Sequence, residues 1–233
     1  MPASHVKVDS HPRLLVSVRD PAEAEVARLA GADLIDAKDP ERGALGALDP
    51  NIVREIVGRV AGASETSAVA DPTPPAVAAM AATGVDWVKA GLDAPRRRDK
   101  SAFAGLAAAA PGRLIAVLFA EDGPAATLVP ALAEAGFAGA MIDTAGKGGV
   151  RLPDLTAPED LAAFTAACRR HHLMSGLAGS LRAIDIPILA GHGSDYLGFR
   201  GGLCRDFDRR NGIDPLRIAE ALRALRPSRR DAA

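Results

Sequence analysis

Three lysines stand at or just past the ends of short apolar runs: Lys38 in LIDAKD, Lys89 in DWVKAGL and Lys147 in AMIDTAGKGG. In a strand–helix repeat, such positions converge on one mouth of the sheet, where a buried amine serves carbonyl chemistry or phosphate binding. Two carboxylates, Asp36 and Asp143, close the same runs. Because alternate strand residues share a face, Asp36 and Lys38 point together, with Ile35 and Ala37 turned toward the helices. By the same count Lys89 shares a face with Trp87, and Asp143 with Met141. Charges inside a mouth are costly unless paired, so the bland arrangement is two structural bridges, Asp36–Lys38 and Asp143–Lys147. Three amines against two carboxylates leave one cation over. Neighbouring cations and desolvation favour its neutral form, which a Schiff-base nucleophile requires.

A second cluster suits anions. Ala178-Gly179-Ser180 and Arg200-Gly201-Gly202 follow the seventh and eighth apolar runs, where barrels build phosphate cups from backbone N–H groups and a short helix. Gly179, Ser180, Arg200, Gly201 and Gly202 are therefore the expected substrate phosphate-binding residues, although a Gly-Gly pair also serves as a plain turn. A third glycine loop, Arg42-Gly43-Ala44-Leu45-Gly46, follows Lys38 and is placed to overhang the mouth or merely to turn the chain.

The elements that must hold these groups are legible as alternation. Strands are expected at Leu14–Val18, Leu34–Lys38, Thr66–Ala70, Trp87–Leu92, Leu114–Ala120, Ala138–Asp143, Met174–Ala178 and Tyr196–Arg200. Alanine-rich amphipathic stretches follow, among them Pro21–Ala30, Asn51–Val60, Pro74–Ala82, Ala125–Ala135, Pro158–His171 and Pro215–Leu225; the helix after the seventh strand has the weakest pattern. Asp20-Pro21 and Asp214-Pro215 read as a capping side chain before a first-turn proline. Gly31, Gly84 and Gly136 read as left-handed helix ends. Eight βα units predict an α/β fold, a (β/α)₈ TIM barrel, a little under the roughly 250 residues typical of that architecture. An open doubly wound sheet is the runner-up, but no GxGxxG follows the first strand.

The 233 residues fit a single barrel domain, with residues 1–12 and 227–233 read as mobile ends. Lys and Arg number 28 against 29 Asp and Glu, which gives no reason to expect a nucleic-acid or membrane partner and favours a small ligand. With two cysteines, Cys168 and Cys204, and no leader or run of about 18 apolar residues, the chain reads as reduced and cytoplasmic. HExxH and paired CxxC are absent, so no metal is expected, and His171 and His172 read as the solvent face of a helix end. PRRRDK at Pro95–Lys100 and the basic tail read as solvated charge. The alanine-rich helix faces are compatible with a homo-oligomer but do not specify one.

The segments LLVSVRDPAEAEVARLAGADLIDAKDPERGALGALDP, VDWVKAGL, MIDTAGKGG, LAGS and GFRGGLC occur in the order seen in one family. From about Leu14 to Leu225 the chain resembles the (5-formylfuran-3-yl)methyl phosphate synthases, also called 4-(hydroxymethyl)-2-furancarboxaldehyde-phosphate synthases. The resemblance implies a class I aldolase-like barrel. It would join two molecules of glyceraldehyde 3-phosphate, with loss of phosphate and water, into a furan precursor of methanofuran, the one-carbon carrier of methanogens and some methylotrophic bacteria. It further implies Lys38 as the Schiff-base lysine and Lys89 as proton acceptor, with Asp36, Asp143 and Lys147 completing the site and no cofactor. Ala44 departs from the family pattern, where serine is common, and removes one hydroxyl from the loop. The chemistry itself leaves two alternatives: another Schiff-base phosphosugar aldolase or isomerase, and a non-catalytic sugar-phosphate sensor whose lysines are permanent counter-charges.

Overall fold

Each strand is a short, mostly apolar run, and several helices begin where a polar side chain caps them, as Asp20, Asp49, Thr73 and Asp214 do. The computed structural model describes residues 11–146 and 149–226. The strands are β1 (Arg13–Val18), β2 (Leu34–Ala37), β3 (Glu65–Ala70), β4 (Trp87–Leu92), β5 (Leu114–Phe119), β6 (Gly139–Asp143), β7 (Met174–Ala178) and β8 (Tyr196–Phe199). All pair in parallel and in sequence order, and β8 returns to β1 to close the barrel. The helices between them are α1 (Pro21–Leu29), α2 (Pro50–Val60), α3 (Pro74–Ala81), α4 (Ala94–Arg98), α5 (Ser101–Ala108), α6 (Val129–Glu134), α7 (Leu152–Leu155), α8 (Pro158–Arg170), α9 (Ile186–Ala190) and α10 (Pro215–Leu225). The closed ring rules out the open sheet. No described helix is long and apolar enough to cross a membrane.

The local chemistry behaves as the sequence implies. Asp20 accepts from the Glu23 amide at 2.8 Å and Asp214 from the Leu216 amide at 2.9 Å, each ahead of a proline in the first turn. Gly31, Gly84 and Gly136 take φ of 89°, 94° and 91°, a left-handed backbone that suits glycine between helix end and strand. A further device recurs around the ring. Asp33, Asp86 and Asp195, each just ahead of an even-numbered strand, accept from the amides of Leu14, Thr66 and Ser175 at the start of the preceding strand, at 2.7–2.8 Å.

Two apolar layers result. One lies between strands and helices and includes Val16, Ile35, Val88, Leu118 and Leu177. The other fills the barrel with Leu15, Leu34, Ile115, Val117, Met141, Ala178 and Tyr196. Tyr196 is fully buried and lies across β7 so closely that a β-carbon at Gly176 would stand 2.3 Å from its ring. At the amino ends of the strands Glu65 accepts from Arg13 and from the Trp87 indole, each at 2.7 Å, and plugs the bottom. The interior is thus solid below, and any cavity must lie toward the carboxyl ends.

Some expectations fail for identifiable reasons. The stretch Ala125–Ala135 is not one helix: a 3-10 turn at Ala126–Leu128 precedes α6, because Pro130 fits only the first turn of a helix. PRRRDK is not solvated charge throughout, since it supplies α4 and buries Arg97. That guanidinium donates to Leu92 O at 3.1 Å and Phe119 O at 2.7 Å, tying together the ends of β4 and β5. Pro12, read with the mobile N-terminal end, is buried; residues 1–10 and the tail 227–233 lie outside the described residues. His171 does end α8 at an exposed position, and His172 follows with φ of 58°.

Candidate active site

Strand register builds the floor of the site. Ser17, Asp36 and Ser67 are Cα partners across β1, β2 and β3, and all three point into the barrel. The serine hydroxyls donate to the two Asp36 oxygens, Ser17 at 2.9 Å and Ser67 at 2.7 Å. Lys89, one pleat higher on β4, reaches past β3 to Asp36 Oδ1 at 2.6 Å. The pair is sealed from solvent, with side chains 3% and 0% exposed. Burial alone would raise the Asp36 pKa; the charges of Lys89 and Lys38 and the Lys89 and Ser67 hydrogen bonds outweigh it, and the net shift is downward. Asp36 is therefore ionised. Its ion pair is with Lys89, which revises the Asp36–Lys38 bridge expected from strand parity; Lys38 acts on Asp36 through its charge.

Above this floor opens a cavity of about 350 Å³, within the usual range for small ligands. Lys38, Lys89 and Asp143 line it together, as do Gly179, Ser180, Arg200, Gly201 and Gly202. Small residues on β7 and β8, Ala178 and Gly198, leave the space that larger side chains would fill. Lys38 is 8% exposed and Asp143 3%, so both face the cavity from largely desolvated positions. Asp143 Oδ1 accepts from the Thr144 amide at 2.7 Å. Lys147 lies outside the described residues.

The glycines differ in their constraints. Gly179 has φ of 125° and Ser180 of 51°, a left-handed turn that aims this segment into the cavity. Gly201–Leu203 forms a 3-10 turn directly after β8. A β-carbon at Gly202 would lie 2.0 Å from Leu181 O, whereas one at Gly201 would meet Arg209 Cβ and Phe207 O at an ordinary 3.6 Å. Gly202→Ala is accordingly expected to force the β7 and β8 loops apart and cost about 1–3 kcal/mol, read as a fall in Tm. Gly201→Val should keep the fold and instead raise the substrate concentration for half-maximal rate, with inorganic phosphate weakened as a competitor. Unchanged phosphate inhibition in a folded Gly201→Val protein would move the cup elsewhere, to Gly43–Gly46.

Arg200 lines the cavity, but its guanidinium is spent behind it. It pairs with buried Glu23 and donates to Ser17 O at 3.1 Å and Arg209 O at 2.9 Å. Its place in the cup is thus by backbone. The Gly43–Gly46 loop does overhang the mouth: Asp39 and Gly46 bridge at its neck, Leu45 lines the cavity and Arg209 donates to Gly43 O at 2.7 Å. Several groups of the cavity and of the floor beneath it were not anticipated. Ser17 and Ser67 were available from strand parity alone, as polar residues on an inward face. Arg182, Phe207 and Arg209 were not, because they lie on irregular loops with no periodicity. Among the described residues no group of three or more His, Cys, Asp or Glu side chains could hold a metal.

The fold and cavity define a (β/α)₈ barrel with a lysine-bearing site at the carboxyl ends of its strands, the end at which enzymes of this architecture do their chemistry. The chain belongs to the 4-HFC-P synthase family, whose profile matches residues 14–222. A Methylorubrum extorquens protein provisionally named (5-formylfuran-3-yl)methyl phosphate synthase is 58% identical over 230 residues, covering 96% of both chains. The (5-formylfuran-3-yl)methyl phosphate synthase of Methanopyrus kandleri is 36% identical over 220 residues, covering 86% of this chain and 93% of that one. Among solved structures, 3-hexulose-6-phosphate synthase superposes with a TM-score of 0.65 at 18% identity, covering 91% of this chain and 99% of the other. Phosphoribosyl anthranilate isomerase from Thermus thermophilus gives 0.65 at 14% identity, covering 91% and 98%. Those two likenesses concern the barrel alone.

Proposed function

We propose that this chain is a (5-formylfuran-3-yl)methyl phosphate synthase that condenses two glyceraldehyde 3-phosphate molecules through a Schiff base on Lys38, in methanofuran biosynthesis and one-carbon metabolism. The observation that carries this reading is the juxtaposition of Lys38, Lys89 and Asp143 in one cavity of a chain from this family. The overall change balances with one phosphate and two waters released, so it calls for no oxidant or reductant. It is a lyase-type reaction needing a nucleophilic amine and acid–base groups.

The Asp36–Lys89 pair suits the first half of such a sequence. Asp36 pairs with Lys89 at 2.6 Å and fixes its Nζ in the floor of the cavity. When the aldehyde adds to the Lys38 amine, the carbinolamine oxygen leaves as water by taking a proton from Lys89. Lys89 is then an amine beside an iminium, and it removes the proton from the adjacent substrate carbon. The resulting enamine attacks the carbonyl of the second molecule. Asp143, with Lys147, is assigned the proton transfers that accompany loss of phosphate and water. Gly179, Ser180, Gly201 and Gly202 hold a substrate phosphate through backbone N–H groups and the Ser180 hydroxyl. The protein works on a small phosphotriose in the cytoplasm, with no nucleic-acid or membrane partner, and as a monomer or homo-oligomer.

Incubation with glyceraldehyde 3-phosphate alone is the direct test, with product identified by mass and furan absorbance and phosphate release measured in parallel. One phosphate released per furan is expected. Another aldol product would favour a different phosphosugar aldolase on the same barrel, and saturable binding with no product would favour a sensor.

A further inference from the structure

Arg209 has no part in the chemistry above, yet it is placed to meet a ligand. Its backbone sits against the cup: Arg200 Nε donates to Arg209 O at 2.9 Å, and the Gly201 β-carbon position is 3.6 Å from Arg209 Cβ. The side chain then leaves the cup and crosses the top of β1 to the far rim, where Nη2 donates to Gly43 O at 2.7 Å in the loop after β2. The guanidinium therefore lies a side chain's length from Gly201, on the rim that follows Lys38. The residue lines the cavity.

Its charge is also uncommitted. Lys89 is paired with Asp36, Arg200 with Glu23 and Arg210 with Asp208, whereas no ion pair holds Arg209 among the described residues. Its Nε is buried and has no acceptor among those residues. Burial lowers its pKa, while the more distant charges of Asp143 and Asp39 oppose that shift. A desolvated guanidinium with an unpaired N–H is suited to an oxyanion, which it can meet through two parallel hydrogen bonds.

We propose that the Arg209 guanidinium is a second phosphate site, separate from the glycine cup, so that the cavity holds two phosphorylated three-carbon substrates at once. The inference rests on the two-substrate reading above for the identity of the ligand. The cup anchors one phosphate on the β7–β8 side, and Arg209 draws the other across the Lys38 side. Binding there would also fasten the Gly43–Gly46 loop over the mouth, since one guanidinium holds both.

The test counts anions without requiring turnover. Calorimetric titration with inorganic phosphate should give two sites per chain in the wild type and one in Arg209→Gln, with melting curves confirming the fold. Borohydride trapping of the first substrate should be unchanged within about twofold in R209Q, while furan formation at limiting substrate falls by at least about tenfold, the loss of one charged, fork-shaped contact. A single site in the wild type, two sites in R209Q, or trapping and furan formation lost in equal measure would each overturn the proposal. Should R209Q fail to fold, Arg209→Lys decides: it keeps the charge without the fork, so one of the two sites should weaken, and undiminished affinity at both overturns the proposal. Wild type that binds two phosphates but makes no furan would refute the reaction and leave the second anion site standing.

Discussion

Lys38→Ala is expected to abolish borohydride-dependent labelling by glyceraldehyde 3-phosphate and to slow furan formation by at least about 10³-fold, as removal of a covalent nucleophile does elsewhere. Lys38 follows β2 directly, and its amide still donates to Val18 O at 2.9 Å, so shortening the side chain leaves the strand end in place. Folding should be unaffected, which makes the activity loss interpretable. Lys89→Ala should behave differently: labelling of Lys38 is still reached, though more slowly because the acid that expels water from the carbinolamine is missing, while turnover falls by about 10²–10⁴-fold, the usual contribution of a general acid–base group. Labelling is read by mass spectrometry of the reduced adduct, and the modified peptide identifies the lysine directly. Undiminished labelling of Lys38→Ala would remove Lys38 from the nucleophile's role and leave Lys89 or Lys147 to take it.

The fold was legible because each βα unit carries its own punctuation. Runs such as LIAVLF and MSGLA are too short and too apolar for surface helices, and Asp-Pro or a left-handed glycine marks the neighbouring helix ends. Strand parity also placed Asp36, Lys38, Lys89 and Asp143 on the cavity side of the sheet, since period two is fixed once a strand is located. What parity could not give is which strands meet across the barrel. Asp36 and Lys38 share a face, but Lys89 on β4 is the residue that reaches the Asp36 carboxylate, and that depends on the stagger of β2, β3 and β4. The loop residues were beyond reach for another reason. Arg97 and Arg209 sit in basic stretches that resemble solvated charge, and only tertiary contacts with carbonyls of distant strands and loops distinguish them. Asp206 and Phe207, both left-handed without being glycine, turn the segment that presents Arg209.

The buried Asp36–Lys89 pair supplies the other large effect, and it separates stability from catalysis. Asp36→Asn keeps the size of the side chain and an oxygen for one serine, but it leaves the Lys89 ammonium buried with no carboxylate. Breaking such a pair from one side costs about 3–5 kcal/mol, or roughly 6–20 °C in Tm for a chain of this size. Turnover should fall as well, since no carboxylate then positions Lys89 for the proton transfer of the dehydration step. Asp36→Asn combined with Lys89→Met removes both charges and fills the space with an apolar chain, so it should recover most of the lost Tm, because an apolar replacement of a buried pair is often neutral. Activity should stay low, because the proton carrier is gone. Recovery of stability without recovery of rate is the outcome that assigns the pair to the reaction rather than to the fold. A double variant as unstable as Asp36→Asn would show instead that the Ser17 and Ser67 hydrogen bonds, not the ion pair, make Asp36 necessary to the barrel.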